Sequence, residues 1–256
     1  READKNIKQL QEQYHTIDKD IDIFMKYKSK IDELNKHTNL CVSTEKTLER
    51  NIYKILGSLE ERYFIHDNYD KIYLLSTSGK IATHIRETHC LVFTHLIVSK
   101  SLHNFEAKEL VGILSCFTNI SVQEEKRNIL PNSENIKVKN TIMTIDKLYK
   151  DQEQYENDNM IETGFDYSIH FDLIDYAIKW CECENETDCK LLLQQLSLEK
   201  EVFLGEFIKA ILKINNITSE LEKIAELMGD MSFLSTLKSV PQLTLKYVAT
   251  NQSLYV

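Results

Sequence analysis

The sequence predicts a mainly α protein: a helical bundle with one short β-hairpin and an N-terminal coiled-coil stalk helix. Three observations support this fold class. Only 6 Gly and 2 Pro occur in 256 residues, so long helices with few breaks are expected and Gly-rich nucleotide-binding loops are disfavoured. Apolar residues recur at three- and four-residue steps over much of the chain, which is the spacing of a buried helical face. With 42% hydrophobic residues, the chain can bury a sizeable core.

The first residues have the spacing of a coiled-coil seam. Apolar side chains alternate at steps of three and four residues at Ile7, Leu10, Tyr14, Ile17, Ile21, Phe24, Ile31 and Leu34. Such a seam needs a partner, which is a second copy, an antiparallel helix upstream, or the protein's own bundle. We assign residues 1–37 to a stalk helix and residues 38–256 to a helical bundle. Because the chain begins at Arg1 within a helical pattern, we expect a longer protein.

The remaining elements follow from period and turn residues. A polar break at residues 35–39 separates the stalk from a helix that Thr44 caps and that ends near Glu60. A hairpin follows, with a turn at residues 66–68 between two short apolar runs. Further helices are predicted at 80–100, 106–117, 134–155, 166–181, 189–195, 201–228 and 233–239, with a last helix after Pro241. The acidic stretch 151–159 is expected to be solvated.

The helix predicted at residues 201–228 has the clearest two-sided pattern. Its apolar face contains Phe203, Phe207, Ile211, Ile214, Ile217, Leu221, Ile224 and Met228. The opposite side forms a polar stripe of Glu206, Lys209, Lys213, Asn216, Glu220 and Lys223. A stripe of this kind faces either water or a charged partner.

Composition narrows the function classes. The net charge of −9 argues against a general basic nucleic-acid coat, so any nucleic-acid contact must be local. Six cysteines with neither a signal-peptide pattern nor an apolar run of membrane-span length predict a soluble intracellular protein, nuclear or cytoplasmic, without membrane contact.

No catalytic or metal-binding motif is recognisable. His84 and His95 would lie about 16 Å apart on one continuous helix, too far to share a zinc ion. Cys181, Cys183 and Cys189 lack a second ligand pair, which favours ordinary buried thiols. Ser78-Gly79-Lys80 lacks the other residues of a phosphate-binding loop. We therefore predict no catalytic residues, no metal and no cofactor in this segment.

Several blocks resemble the C-terminal (DSHCT) domain of the superkiller-type, exosome-associated DExH-box RNA helicases. Residues 79–82 (Gly-Lys-Ile-Ala) are similar to that family's Lys-Gly-Arg-Val-Ala. Residues 113–117 (Ile-Leu-Ser-Cys-Phe) are similar to its Leu-Leu-Ser-Cys-Phe signature, and residues 228–230 (Met-Gly-Asp) to its Ile-Gly-Asn. The terminal Ser-Leu-Tyr-Val at 253–256 resembles its Ser-Leu-Tyr-Leu. The stalk helix resembles the arm that returns from the family's arch domain.

The resemblance implies that helix 201–228 is a ratchet-type helix touching the unwound RNA strand. Its predicted RNA-binding residues are Glu206, Lys209, Lys213 and Asn216, with lysines where the family has arginines. The implied protein is an ATP-dependent 3′-to-5′ RNA helicase that binds single-stranded RNA. ATP and Mg²⁺ would bind in RecA-like domains outside this segment. Implied partners are that helicase core, an upstream stalk helix and RNA exosome cofactors. The alternative is a stand-alone helical scaffold without motor activity.

Overall fold

The protein is mainly α, as predicted. The structure is a computed structural model that describes residues 2–68, 72–120 and 122–246. Within these ranges there are ten α-helices and one two-stranded antiparallel sheet. The elements are α1 (Glu2–Gln13), α2 (Ile17–Glu61), β1 (Ile65–Asn68), β2 (Ile72–Leu75), α3 (Thr77–Ala82), α4 (Cys90–Val98), α5 (Ala107–Leu114), α6 (Ile136–Asp158), α7 (Ile174–Glu182), α8 (Glu186–Lys200), α9 (Leu204–Met228) and α10 (Met231–Thr244). Short 3-10 turns occur at Ser115–Phe117 and Glu124–Lys126.

The chain divides into two compact units, Arg1–Leu56 and Gly57–Val256. The sequence-based boundary after residue 37 lies inside α2, which is continuous over 45 residues. The break predicted at residues 35–39 is therefore wrong. Thr44, predicted as a cap, lies within the helix and its Oγ1 donates a hydrogen bond to the Leu40 carbonyl oxygen at 2.8 Å. The actual interruption is at residues 14–16, between α1 and α2.

The first unit exposes the apolar seam that the heptad spacing predicts. No described side chain of α2 is buried, and Phe24 is 61% exposed. Exposed apolar side chains recur along α1, α2 and the break between them, at Ile7, Leu10, Tyr14, Ile21, Phe24, Ile31 and Leu34. None of the described helices is long and apolar enough to cross a membrane.

The hairpin begins the second unit. Ile65 pairs with Leu75 and Asn68 pairs with Ile72 in an antiparallel register. Residues 66–68, which the sequence analysis predicted as a turn, belong to β1 instead, because cross-strand hydrogen bonding outweighs the turn preference of His66-Asp67-Asn68. In α3, Gly79 packs against the hairpin base, where a Cβ atom would collide with the Phe64 carbonyl oxygen.

The helix predicted at residues 80–100 is two helices, α3 and α4, joined by a loop at residues 83–89. The His89 Nδ1 accepts a hydrogen bond from the Val92 backbone N–H at 3.4 Å and so caps α4. The Glu220 carboxylate, far along the chain, accepts the backbone N–H groups of Arg86 and Glu87. These two N–H groups therefore do not form the hydrogen bonds of a continuous helix. Residues 83–89 contain no Gly or Pro that would predict a loop.

Three later predictions also change. The stretch 151–159 is solvated at most positions, as predicted, but it belongs to α6, which continues to Asp158, and Gln152 and Glu156 are buried. The helix predicted from residue 166 begins only at Ile174. Pro241 does not separate two helices, since α10 contains it.

Helix α9 lies at the centre of the second unit and packs against α10 and α5. Its buried residues include Phe207, Ile208, Ala210, Ile211, Ile214, Ile217, Thr218, Leu221, Ile224 and Ala225. At its ends, Phe203 is 63% exposed and Met228 is also exposed, so the prediction that these two residues belong to the buried face is wrong. The Trp180 ring meets Phe207 edge-on at 5.2 Å, and its Nε1 donates to the Thr244 carbonyl oxygen at 2.9 Å. This packing fixes α9 over its length.

Candidate nucleic-acid interface

The polar stripe of α9 lies on the side opposite its buried face. Glu206, Lys209, Asn216 and Lys223 are exposed, while Lys213 and Glu220 are half-buried. The 17-residue separation between Glu206 and Lys223 gives the stripe a length of about 25 Å at the helical rise of about 1.5 Å per residue. Because the other side of α9 is anchored in the core, these side chains project from a rigid support.

Two lysines of the stripe are free to meet an anion. Lys209 and Lys223 are exposed, and neither has a hydrogen-bond or ion-pair partner within the part of the chain that the structure describes. A lysine ammonium group binds phosphate as a point charge with three donors. Lys209 is one of the predicted RNA-binding residues, and its environment is compatible with that role.

Lys213 and Asn216 share a partner on the loop at residues 83–89. The Lys213 ammonium forms a salt bridge with the Glu87 carboxylate. The Asn216 Nδ2 donates to the other oxygen of the same carboxylate at 3.5 Å. The two predicted RNA-binding residues are thus brought together, one helical turn apart, around one acidic group.

Glu220 attaches that loop to α9. Its Oε2 accepts the backbone N–H of Arg86 at 3.0 Å and that of Glu87 at 3.1 Å. Sequence reasoning missed these loop residues, because it placed them inside a helix. No Gly or Pro in the segment signals them.

Glu206 and Asn215 have structural partners. The Glu206 Oε2 accepts the backbone N–H of Phe203 at 3.1 Å, and its negative charge lies at the positive end of the helix dipole. The Asn215 side chain does not share the stripe: its Nδ2 donates to Thr244 Oγ1 at 3.0 Å, on α10. The RNA-binding role predicted for Glu206 stays a prediction.

A few titratable groups elsewhere in the second unit are buried. Burial raises the pKa of the Cys181 thiol, and also that of Cys189, to about 12, which keeps both protonated. In the described part of the chain, no group of three His, Cys, Asp or Glu side chains could hold a metal ion. Sequence reasoning also missed a buried polar cluster in which the His89 Nε2 lies 3.0 Å from the Tyr167 hydroxyl and 3.6 Å from Glu156.

The fold and the stripe define a class of protein: a helical domain in which one long central helix presents a polar stripe with two free lysines. Comparison with protein-family models identifies the family, since the DSHCT (NUC185) domain matches residues 73–246. The match covers more than half of the chain, and the chain belongs to this family. The DSHCT domain is typical of Ski2-like RNA helicases, in which it is C-terminal. Comparison with individual curated proteins found no match.

The match agrees with most of the blocks that carry the resemblance. Residues 79–82, 113–117 and 228–230 all lie inside the matched region. The terminal block at 253–256 lies outside both the match and the described residues. The helicase-associated character of the domain therefore rests on residues of the second unit.

Proposed function

We propose that this chain is the C-terminal part of an ATP-dependent 3′-to-5′ RNA helicase and that α9 guides the unwound single strand. The main support for this proposal is the position of Lys209 and Lys223 on the exposed side of the central helix of a DSHCT domain. Free ammonium groups on a rigid helix attract backbone phosphates without selecting a base. Such contacts let a strand advance while the helix keeps its place.

A local contact is compatible with the negative net charge. The chain carries −9 overall, so the exposed lysines of α9 would act at short range. At physiological ionic strength, exposed charges more than about 8 Å apart are largely screened from each other. Phosphates close to Lys209 and Lys223 would therefore respond to these ammonium groups more strongly than to carboxylates far from the stripe, while Glu206 and Glu220 on the stripe would oppose them.

The proposed partners follow from the same domain type. A RecA-like helicase core of the full-length protein would bind ATP and Mg²⁺ and hydrolyse the ATP. That reaction would take place outside this segment. An upstream helix would cover the exposed seam of α1 and α2, since an isolated apolar seam is typical of a coiled-coil strand. RNA exosome cofactors are further proposed partners, in an intracellular compartment.

The test is single-stranded RNA binding by alanine variants of the free lysines. Lys209→Ala and Lys223→Ala should each weaken binding about two- to fivefold, the effect of losing one exposed ion pair of up to about 1 kcal/mol. Together they should lower the magnitude of the slope of log K against log salt by about 1.4, at about 0.7 per phosphate contact on a single strand.

Lys147→Ala is the matched control, because Lys147 is an exposed lysine within another long helix, α6. Fluorescence anisotropy with a labelled oligoribonucleotide measures the affinity of the wild type, both single variants, the double variant and the control. Equal affinities for the wild type and the Lys209→Ala, Lys223→Ala double variant would refute the guiding role.

A stand-alone helical scaffold is the second candidate. It is favoured by the engagement of Lys213 with Glu87, which leaves part of the stripe neutralised by the chain itself. In that case the exposed seam of α2 would bind another protein, and the lysine variants would leave RNA affinity unchanged. The sequence preceding Arg1 discriminates directly, because a Walker A motif and a DExH box there belong only to the helicase.

A further inference from the structure

The Glu87 carboxylate occupies the middle of the α9 stripe. One of its oxygens is paired with the Lys213 ammonium and the other receives the Asn216 amide at 3.5 Å. Lys209 lies one turn before this pair, and Lys223 lies two turns after Asn216. The engaged pair therefore lies between the two free lysines of the stripe.

The backbone that carries Glu87 is held in place from both sides. Glu220 accepts the N–H groups of Arg86 and Glu87, and the flanking residues Ile85 and Thr88 are buried. The Glu87 side chain itself is 28% exposed, and that of Lys213 is 29% exposed. Rotation of the Glu87 side chain can thus vacate the pair without unfolding the loop.

The donors around the Glu87 carboxylate are those that bind a phosphate. A lysine ammonium and an amide N–H converge on two oxygens of one anion, and a backbone phosphate presents two non-bridging oxygens in the same way. We propose that Lys213 and Asn216 form a phosphate subsite for single-stranded RNA and that Glu87 fills this subsite when RNA is absent. This inference rests on the proposed guiding function of α9.

Two other charged residues, Glu220 and Arg86, lie next to Glu87. Glu220 opposes an incoming phosphate, but two backbone N–H groups already hydrogen-bond one of its oxygens. Arg86 has an exposed side chain with no hydrogen-bond or ion-pair partner among the residues that the structure describes.

Replacement of the Glu87 carboxylate by an RNA phosphate at Lys213 affects the affinity for RNA. In the wild type, a phosphate that contacts Lys213 replaces an existing ion pair, so the gain in binding is small. Removing the charge of Glu87 makes Lys213 a free cation like Lys209. Glu87→Gln should therefore bind single-stranded RNA about two- to fivefold more tightly. The salt slope should become steeper by about 0.7, the value for one added phosphate contact.

The experiment is a double-mutant cycle on the 256-residue chain, read by anisotropy with a labelled oligouridylate. Its members are the wild type, Glu87→Gln, Lys213→Ala and the combined variant, with Glu182→Gln as the charge-matched control. Glu182 also pairs with a lysine, Lys108 at 2.8 Å, but it lies on α7 and not on the stripe. The expected result is tighter binding by Glu87→Gln only, with the gain abolished when Lys213→Ala is added.

The outcomes separate the subsite from the guiding role. If Lys209→Ala weakens binding while Glu87→Gln matches the wild type, the subsite is refuted and the guiding role stands. If Glu182→Gln tightens binding as much as Glu87→Gln, or the gain survives in the combined variant, the effect is one of net charge and the subsite is again refuted. If neither the wild type nor Glu87→Gln binds the RNA, both proposals fall.

Discussion

At the scale of single residues, neighbouring lysines of one helix have different environments. Lys209 is free and Lys213 is paired with Glu87, although both belong to the same predicted stripe. The period of the sequence places both on one face, but only the folded chain brings residue 87 next to residue 213. The resemblance to the helicase domain names the RNA-binding candidates, whereas their pairing with other side chains is visible only in the folded chain.

The buried His89 cluster is the other residue-scale feature. Burial lowers the pKa of His89 from its ordinary value of 6.5, and the attraction of Glu156 only partly opposes this. Burial also raises the pKa of Glu156, but hydrogen bonds led by that of Thr163 lower it further, so that its net shift is below the ordinary 4.5. Both shifts make the folded state bind fewer protons than the unfolded chain.

Acidification should therefore destabilise the fold through His89. The unfolded chain takes up this proton near pH 6.5 while the folded chain does not, so stability falls as the pH is lowered from about 6.5 towards the folded-state pKa. Each unmatched proton contributes a slope of at most about 1.4 kcal/mol per pH unit. His89→Asn keeps an N-capping side chain but does not titrate, so its unfolding free energy should depend less on pH.

Urea unfolding between about pH 7.5 and 5.5 measures this dependence. His84→Asn is the matched control, because His84 is exposed in the loop that precedes His89. The same pH slope in His89→Asn as in the wild type and in His84→Asn would show that His89 does not drive the acid sensitivity.

At the scale of elements, the sequence predicts long helices well and their interruptions poorly. Helix α9 is found within three residues of its predicted start and ends at its predicted residue, because a continuous 3-4 period and Gly229 in the left-handed region define it. The loop at residues 83–89 has no Gly or Pro, and it is set by Glu220, 133 residues away from Glu87. A contact of that range leaves no local signature in the sequence.

Two glycines in different elements give a matched test of element packing. Gly57 lies in α2, and a Cβ atom added there would meet no atom within 4 Å, so Gly57→Ala should stabilise the helix by about 0.5–1 kcal/mol. Gly79 in α3 lies against the Phe64 carbonyl oxygen, and Gly79→Ala should lower the stability because backbone must shift. Thermal unfolding followed by circular dichroism compares the two variants. A rise in Tm for Gly79→Ala would contradict the close approach between α3 and the hairpin base.

At the scale of the whole molecule, composition and period were sufficient for the fold class. Few Gly and Pro residues and a strong helical period predicted the mainly α architecture with one hairpin, which the structure confirms. The heptad spacing also predicted the exposed seam of the first unit. A helix with one apolar stripe leaves that stripe exposed unless a partner helix covers it.

The central claim is that the stripe of α9 contacts single-stranded RNA, and photo-cross-linking tests it most directly. A photoreactive phenylalanine derivative would replace Lys209, Lys223 or the control Lys147 in the full-length protein, followed by irradiation with bound single-stranded RNA. Contact between the stripe and the RNA strand predicts cross-links from positions 209 and 223 and none from position 147. Equal cross-linking from all three positions, or none from positions 209 and 223, would contradict it.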